Sequence, residues 1–396
     1  IAFHISKSVN LFLFSFIFKN IMIIGINATF KLHGGAKTLL FEFIKYIRLL
    51  RPDYKIIIYT RKESLVELSK IDPTGIRLIA IRGVSGSNIV RILWEQLILP
   101  FTALKLKNDV LFCPGNMSPI LNTIKKKVQW IGTVGPFCKD VYKDVSLEIK
   151  IKFYVNKVLI LLSGFTSDLV LHESQYSMEL FVEKYRLNKN KQFLIQAGKD
   201  DYFLPKKNNS FDFKYSNSII VVSHLYRYKN IESLIYAYSS FIKEGADSKL
   251  YIIGSIIDAK YYQYLIKIVE KLELGNMVIF SGLLNREDLR YVYSSCKLFV
   301  FPSFCESSAY TLIEAMSCGA PILASNRTAI PSTCSEAAIY FDPNDTLQLS
   351  TLINQMMSSE YDIHARRKAS LLRASNLPNY KEATKIFLNI LENKKK

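Results

Sequence analysis

Two carboxylates, Glu306 and Glu314, stand in the segment Val300–Ser325, VFPSFCESSAYTLIEAMSCGAPILAS. The pattern reads as a buried strand ending at Phe301, a short loop carrying Glu306, and a helix that opens near Thr311 and carries Glu314. A carboxylate at the carboxyl end of a strand, beside a new helix, is placed to accept hydrogen bonds from ligand hydroxyls. Glu314 also has a purely structural reading, because Thr311-x-x-Glu314 is a capping box in which the carboxylate returns to the N-cap backbone. Far upstream, Gly34-Gly35 stand where a strand from Met22 gives way to a helix. Paired glycines there let backbone N–H groups approach an anion closely. A P-loop is excluded, since Ala36 precedes the lysine and Lys31 occupies the leading glycine position; GxGxxG is also absent.

These residues need a scaffold of strands and helices, and the chain spells one out. Ile21–Ile26, Lys55–Tyr59, Ile76–Ile81, Val110–Cys113, Val128–Ile131 and Leu169–His172 read as buried strands. Helical spacing occupies Thr38–Leu50, stopped by Pro52, and Val90–Leu106, interrupted by Pro100. After Gly198 and the polar stretch Lys206–Ser218 a second series starts: Ser218–Val222, Lys249–Ile253, Val278–Phe280, Leu298–Phe301, Pro321–Ala324 and Ala338–Phe341. Strands alternating with helices form parallel sheets, so two such series predict two doubly wound domains facing one cleft. The expected boundaries are 22–204 and 205–376, with 377–396 a helix and basic tail returning toward the first domain. Residues 1–21 contain the apolar run Leu11–Phe18, shorter than the ~20 residues of a membrane helix. That stretch reads as an upstream extension before Met22, or as a membrane-contacting lead.

Composition narrows the classes. At 396 residues, 49% hydrophobic and 22% charged, the chain is globular rather than disordered, and long enough for two cores. Its net charge of +18 suits anionic surfaces or phosphorylated ligands, though codon drift toward lysine explains such an excess equally well. Zinc-finger spacing, RNP motifs and basic regions leading into heptads are all missing, which argues against nucleic acid. Six cysteines without a CxxC pair fit small buried hydrophobes in a reducing cytosol.

Glu306–Glu314 reads E-x7-E, and with its surroundings it resembles the donor-site signature of the family-4 retaining glycosyltransferases, also called glycosyl transferases group 1. Other stretches agree in order. Ser223–Asn230 (SHLYRYKN) is similar to the phosphate-binding segment G-R-L-x-x-x-K-N, and Val278–Leu289 and Tyr340–Pro343 resemble later donor-domain elements. Leu93–Gln96 and Asp109–Asn116 look like segments of a subgroup acting in surface polysaccharide assembly. The resemblance implies a GT-B fold, α/β with two Rossmann-like domains. It further implies a retaining, metal-independent transfer of a sugar from a nucleotide-diphosphate donor, used as co-substrate with no resident cofactor. The acceptor would be a saccharide or a polyprenyl-linked saccharide, met in the cytoplasm or at the inner face of the cell membrane.

In that reading Lys229, His224 and Glu306 are catalytic. Lys229 and His224 meet the leaving phosphate, and Glu306 meets hydroxyls of the donor sugar. Gly34, Gly35, Ser307, Ser308, Ala309, Tyr310, Thr311 and Glu314 bind donor, with Glu314 on the ribose. Gly115, Asn116, Gly132 and Thr133 lie on the acceptor side, no residue is assigned as a nucleophile, and no metal site is expected. Lys125–Lys127 and Lys143–Lys157 are the expected contacts with an anionic membrane surface. The chain departs from the family in three places. His224 replaces the usual arginine, Glu306–Ala309 reads ESSA where Glu-Gly-Phe-Gly is usual, and the acceptor loop Trp130–Pro136 lacks the histidine many relatives carry. A GT-B epimerase or phosphorylase, or a catalytically idle nucleotide-sugar-binding subunit, are the alternative readings.

Overall fold

The computed structural model describes residues 21–32, 34–71, 74–84, 86–142, 145–196, 198–206, 214–358 and 362–393. The expectations for residues 1–20 and for the tail at 394–396 lie outside the described residues, as do His33 and most of the polar stretch after Lys206.

Runs of isoleucine, valine and leucine favour the pleated conformation and, when uninterrupted, burial on both faces. In the first domain they give β1 (Ile23–Ala28), β2 (Lys55–Arg61), β3 (Ile76–Ile81), β4 (Val110–Cys113), β5 (Lys126–Ile131), β6 (Leu169–His172) and β7 (Gln192–Leu194). The sheet is parallel throughout, in the order β3-β2-β1-β4-β5-β6-β7. Alternate side chains feed two layers: Ile24, Ile26, Phe112 and Trp130 pack on one side, Ile57, Tyr59, Leu111 and Cys113 on the other. The second domain contains β8 (Ser218–Val222), β9 (Lys249–Ile253), β10 (Val278–Gly282), β11 (Leu298–Phe301), β12 (Ile322–Ser325) and β13 (Ala338–Phe341). It is also parallel, in the order β10-β9-β8-β11-β12-β13. Both predicted strand series are present, and the structure adds β7, an edge strand of three residues.

In each sheet the chain order reverses once, between β1 and β4 and between β8 and β11. The loops leaving such neighbouring strands diverge to opposite faces and leave a crevice at their carboxyl ends, where ligands of open α/β sheets bind. The last helix, Tyr380–Asn393, packs against the first domain, with Phe387 5.0 Å from Phe112 and 5.9 Å from Phe43 between ring centroids.

Two local readings are corrected. Pro100 does not interrupt the helical segment: a widened turn at Trp94–Ile98 lets the next helical stretch, Leu99–Lys105, begin with Pro100 in its first turn, where the missing N–H costs little. The run Lys125–Lys127 is not a basic surface. Alternation along β5 turns Lys127 fully inward, where its ammonium donates to Pro119 O at 2.8 Å and to Ile120 O and Leu121 O at 3.3 Å. Lys126 donates to Leu391 O, and exposed Lys125 pairs with Asp109. All six cysteines are buried free thiols.

Candidate active site between the two domains

Lys229 and Glu306 come from the loops that follow β8 and β11, the two strands flanking the reversal in the second sheet. Lys229 Nζ donates to Glu306 Oε1 at 2.5 Å, and both side chains are largely withdrawn from water. Burial works against the Lys229 charge, but the adjacent Glu306 carboxylate outweighs it and raises the lysine pKa. The Tyr228 and Phe301 rings lie 5.1 and 5.6 Å from the ammonium.

The two loops are tied to one another by backbone. Phe304 N donates to Tyr228 O at 2.9 Å. Asn230 adopts a left-handed conformation, φ 56°, at the N-cap of helix Ile231–Lys243, and its amide donates to Pro302 O at 3.2 Å and Pro343 O at 2.9 Å. Asparagine tolerates this backbone better than most residues and here pins three loops at once. His224 lies two residues past β8, where Gly254 lets the chains cross: a Cβ there would stand 2.0 Å from Ser223 O.

Helix Tyr310–Ser317 opens from Ala309, itself left-handed at φ 50°. Glycine occupies such positions without penalty, so the alanine carries strain of about 1 kcal/mol. Because Ala309 is the N-cap and makes no side-chain capping bond, Thr311 falls inside the helix and the capping-box reading of Glu314 is not realised. Glu314 instead accepts from the Tyr293 hydroxyl at 3.2 Å. Burial pushes its carboxyl pKa up to about 7, against the Tyr293 hydrogen bond and the Arg286 charge.

The second domain meets the first across this loop. Ser307 Oγ accepts from Val134 N at 2.9 Å, and Cys305 packs with Val134 and Cys138. The Tyr310 ring covers Gly35, where a Cβ would stand 2.9 Å from its Cδ2; Gly34 is open, with φ 53°. Beyond Tyr310 lies a cavity of about 250 Å³ that brings together Gly115, Asn116, Gly132 and Thr133 with Phe30, Arg91 and Glu173. Arg91 is held by Glu95 at 2.7 Å. Neither Glu173 nor Arg91 was singled out by the sequence. Glu173 offered only a weak signal, an acidic residue directly after a buried strand, without the neighbouring motif that marked Glu306.

Residues 205–370 match the family described as glycosyl transferases group 1. The C-terminal domain belongs to that family. Serotype-specific mannosyltransferase WbdA of Escherichia coli is 30% identical over 167 residues, 42% of this chain and 19% of the relative. The chain therefore spans less than a fifth of the length of that curated relative in this match. A glycosyltransferase from Rickettsia africae ESF-5 superposes with TM-score 0.73 at 19% identity, over 94% of this chain and 100% of that one. Anabaena Alr3699/HepE, crystallised with UDP-glucose, gives 0.71 at 16% identity, over 93% and 99%. The fold is GT-B.

Within this group 1 domain, Glu314 has a measurable signature. An acid whose native pKa lies near 7 against an ordinary 4.5 binds its proton more tightly when folded, so stability falls as pH rises between those values and then levels off. The loss is of order 3 kcal/mol at 1.36 kcal/mol per pKa unit. Glu314→Gln, which keeps a partner for Tyr293 but no charge, gains thermal stability relative to the parent as pH is raised from 5 to 8. A difference in unfolding temperature that is constant across this range contradicts the buried, proton-holding carboxyl.

Proposed function

We propose that this chain is a retaining glycosyltransferase that transfers a sugar from a nucleotide-diphosphate donor to a saccharide hydroxyl in polysaccharide or O-antigen assembly. The observation that carries the reading is the Lys229–Glu306 pair, held at the strand ends of a group 1 domain. The naming of the WbdA relative and the UDP-glucose complex of Alr3699/HepE support the substrate classes.

In the reaction the bond from the sugar's anomeric carbon to the diphosphate breaks, and the terminal phosphate gains negative charge. Lys229 is the cation aimed at that charge, with His224 on the same loop. The first N–H groups of helix Tyr310–Ser317 add the positive end of its dipole. No resident metal has a role in this scheme. Glu306 exchanges its lysine partner for hydroxyls of the bound sugar, and Glu314 takes the ribose. Ser307, Ser308 and Ala309 shape the loop between them, Gly34 and Gly35 approach from the first domain, and Gly115, Asn116, Gly132 and Thr133 line the acceptor side. Retention follows if the acceptor attacks from the face the diphosphate leaves.

A panel of nucleotide sugars, scored for nucleoside-diphosphate release with a lipid-linked saccharide and for product anomeric configuration by NMR, tests this. One donor is expected to turn over with retention, and Glu306→Gln to slow it about a hundredfold, the scale of losing one transition-state contact. Inverted product, no turnover of any donor, or a fully active Glu306→Gln contradicts the assignment.

A polyprenyl-linked acceptor would be presented at a membrane. Among the described residues no helix is long and apolar enough to cross one. With Lys127 buried, the supporting surface is helix Leu147–Thr166, which exposes Leu147, Ile151, Tyr154 and Phe165 beside Lys150, with Lys152 around the helix and paired to Glu148. Such a face inserts apolar side chains among headgroups while its lysines meet anionic lipid. The protein is expected to sediment with anionic vesicles at low salt and to be released by high salt. Equal binding to neutral vesicles, or none at low salt, contradicts this docking.

A further inference from the structure

The first domain contains a carboxylate for which the scheme above has no use. Glu173 follows β6 directly, is only 5% exposed, and accepts from Trp130 Nε1 at 2.8 Å. Ser308 and Tyr310 of the second domain stand near the same carboxyl, the Tyr310 hydroxyl making no hydrogen bond among the described residues. Burial raises its pKa, while Ser308, Trp130 and Tyr310 favour the ionised form. A carboxyl so placed is expensive unless its lone pairs are used, and two oxygens offer about four acceptor sites.

Its other side faces the cavity of about 250 Å³. Gly132 leaves the approach bare: a Cβ there would stand 3.4 Å from Glu173 Oε1 and 3.7 Å from Asn116 Oδ1. Two acceptor oxygens thus converge beside an unobstructed backbone segment. Asn116 Oδ1 already accepts from Gly132 N at 2.8 Å, which fixes its direction. Phe30, Leu39, Met117 and Ile160 supply apolar wall to the same cavity. A carboxyl acceptor together with apolar walls suits a sugar ring, whose hydroxyls donate and whose C–H face packs.

We infer that Glu173 is an acceptor-binding residue of the first domain, receiving hydrogen bonds from ring hydroxyls of the saccharide, and that Trp130 positions it. The inference rests on the glycosyl-transfer reading for the purpose of the cavity, but its test needs no turnover.

Saturation-transfer NMR with methyl α-mannoside, α-glucoside and α-galactoside, each with UDP or GDP present, measures saccharide contact directly. The parent protein should saturate at least one glycoside. Glu173→Gln should lose about fivefold or more of that signal, as expected when one acceptor oxygen is replaced by an NH₂ donor, with nucleotide affinity held within about twofold. Gly132→Ala gives a second route. Its added methyl contacts both oxygens without overlap and narrows their approach, so the glycoside signal should fall while the fold persists. No signal from the parent, or an undiminished signal in both variants, overturns the assignment. Joint loss of glycoside and nucleotide binding also overturns it, leaving Glu173 as a bridge between domains only. If neither nucleotide binds while the glycoside signal still depends on Glu173, the donor reading fails and the saccharide assignment stands.

Discussion

A lysine and a glutamate, each largely withdrawn from water, neutralise one another where the loops after β8 and β11 meet. Removing either partner from such a pair typically costs about 3–5 kcal/mol, because the survivor is left charged in a poor solvent. The surrounding loop geometry follows from keeping them together: the Asn230 amide on two carbonyls, the backbone bond from Phe304 to Tyr228, and Thr328 Oγ1 accepting from Glu306 N at 2.9 Å. A phosphate for Lys229 and a set of hydroxyls for Glu306 would replace this contact on both sides. Under the proposed reading, the pair therefore keeps the donor site assembled and its charges compensated.

The first domain closes on that pair through a few close contacts. Tyr310 rests on Gly35, Ser307 caps Val134 N, and Glu173 joins Trp130 to the Ser308–Tyr310 turn. Ala309 holds a left-handed turn that a glycine would adopt freely, and the helix carrying Glu314 starts immediately after it. Strain at that residue is tolerated because the packed loop on either side fixes its backbone.

Much of the scaffold was legible because buried parallel strands are near-continuous apolar runs, and these mark β1 through β6 and β8 through β13 within a residue or two. The edge strand β7 is three residues long and too short to show a period. Glu306, Glu314 and Lys229 were visible as candidates from local spacing and resemblance, since each lies in a loop or helix start of one domain. Glu173 was not: its partners Trp130, Ser308 and Tyr310 come from a neighbouring strand and from the other domain, and no periodicity encodes a contact across two sheets. Lys127 misled for a related reason. A lysine run suggests solvent, whereas alternation within a buried strand turns every second side chain inward, and three carbonyls awaited this one.

Calorimetric titration of UDP and GDP tests the donor site most directly, comparing Glu306→Gln with the double variant Lys229→Met, Glu306→Gln. Neutralising Glu306 in both proteins removes the unpaired buried carboxylate as a confounding repulsion. The expected result is that the single variant binds one of the nucleotides and the double variant binds it at least about tenfold more weakly, roughly 1.4 kcal/mol. Equal affinity in the two proteins would contradict a phosphate site built on Lys229.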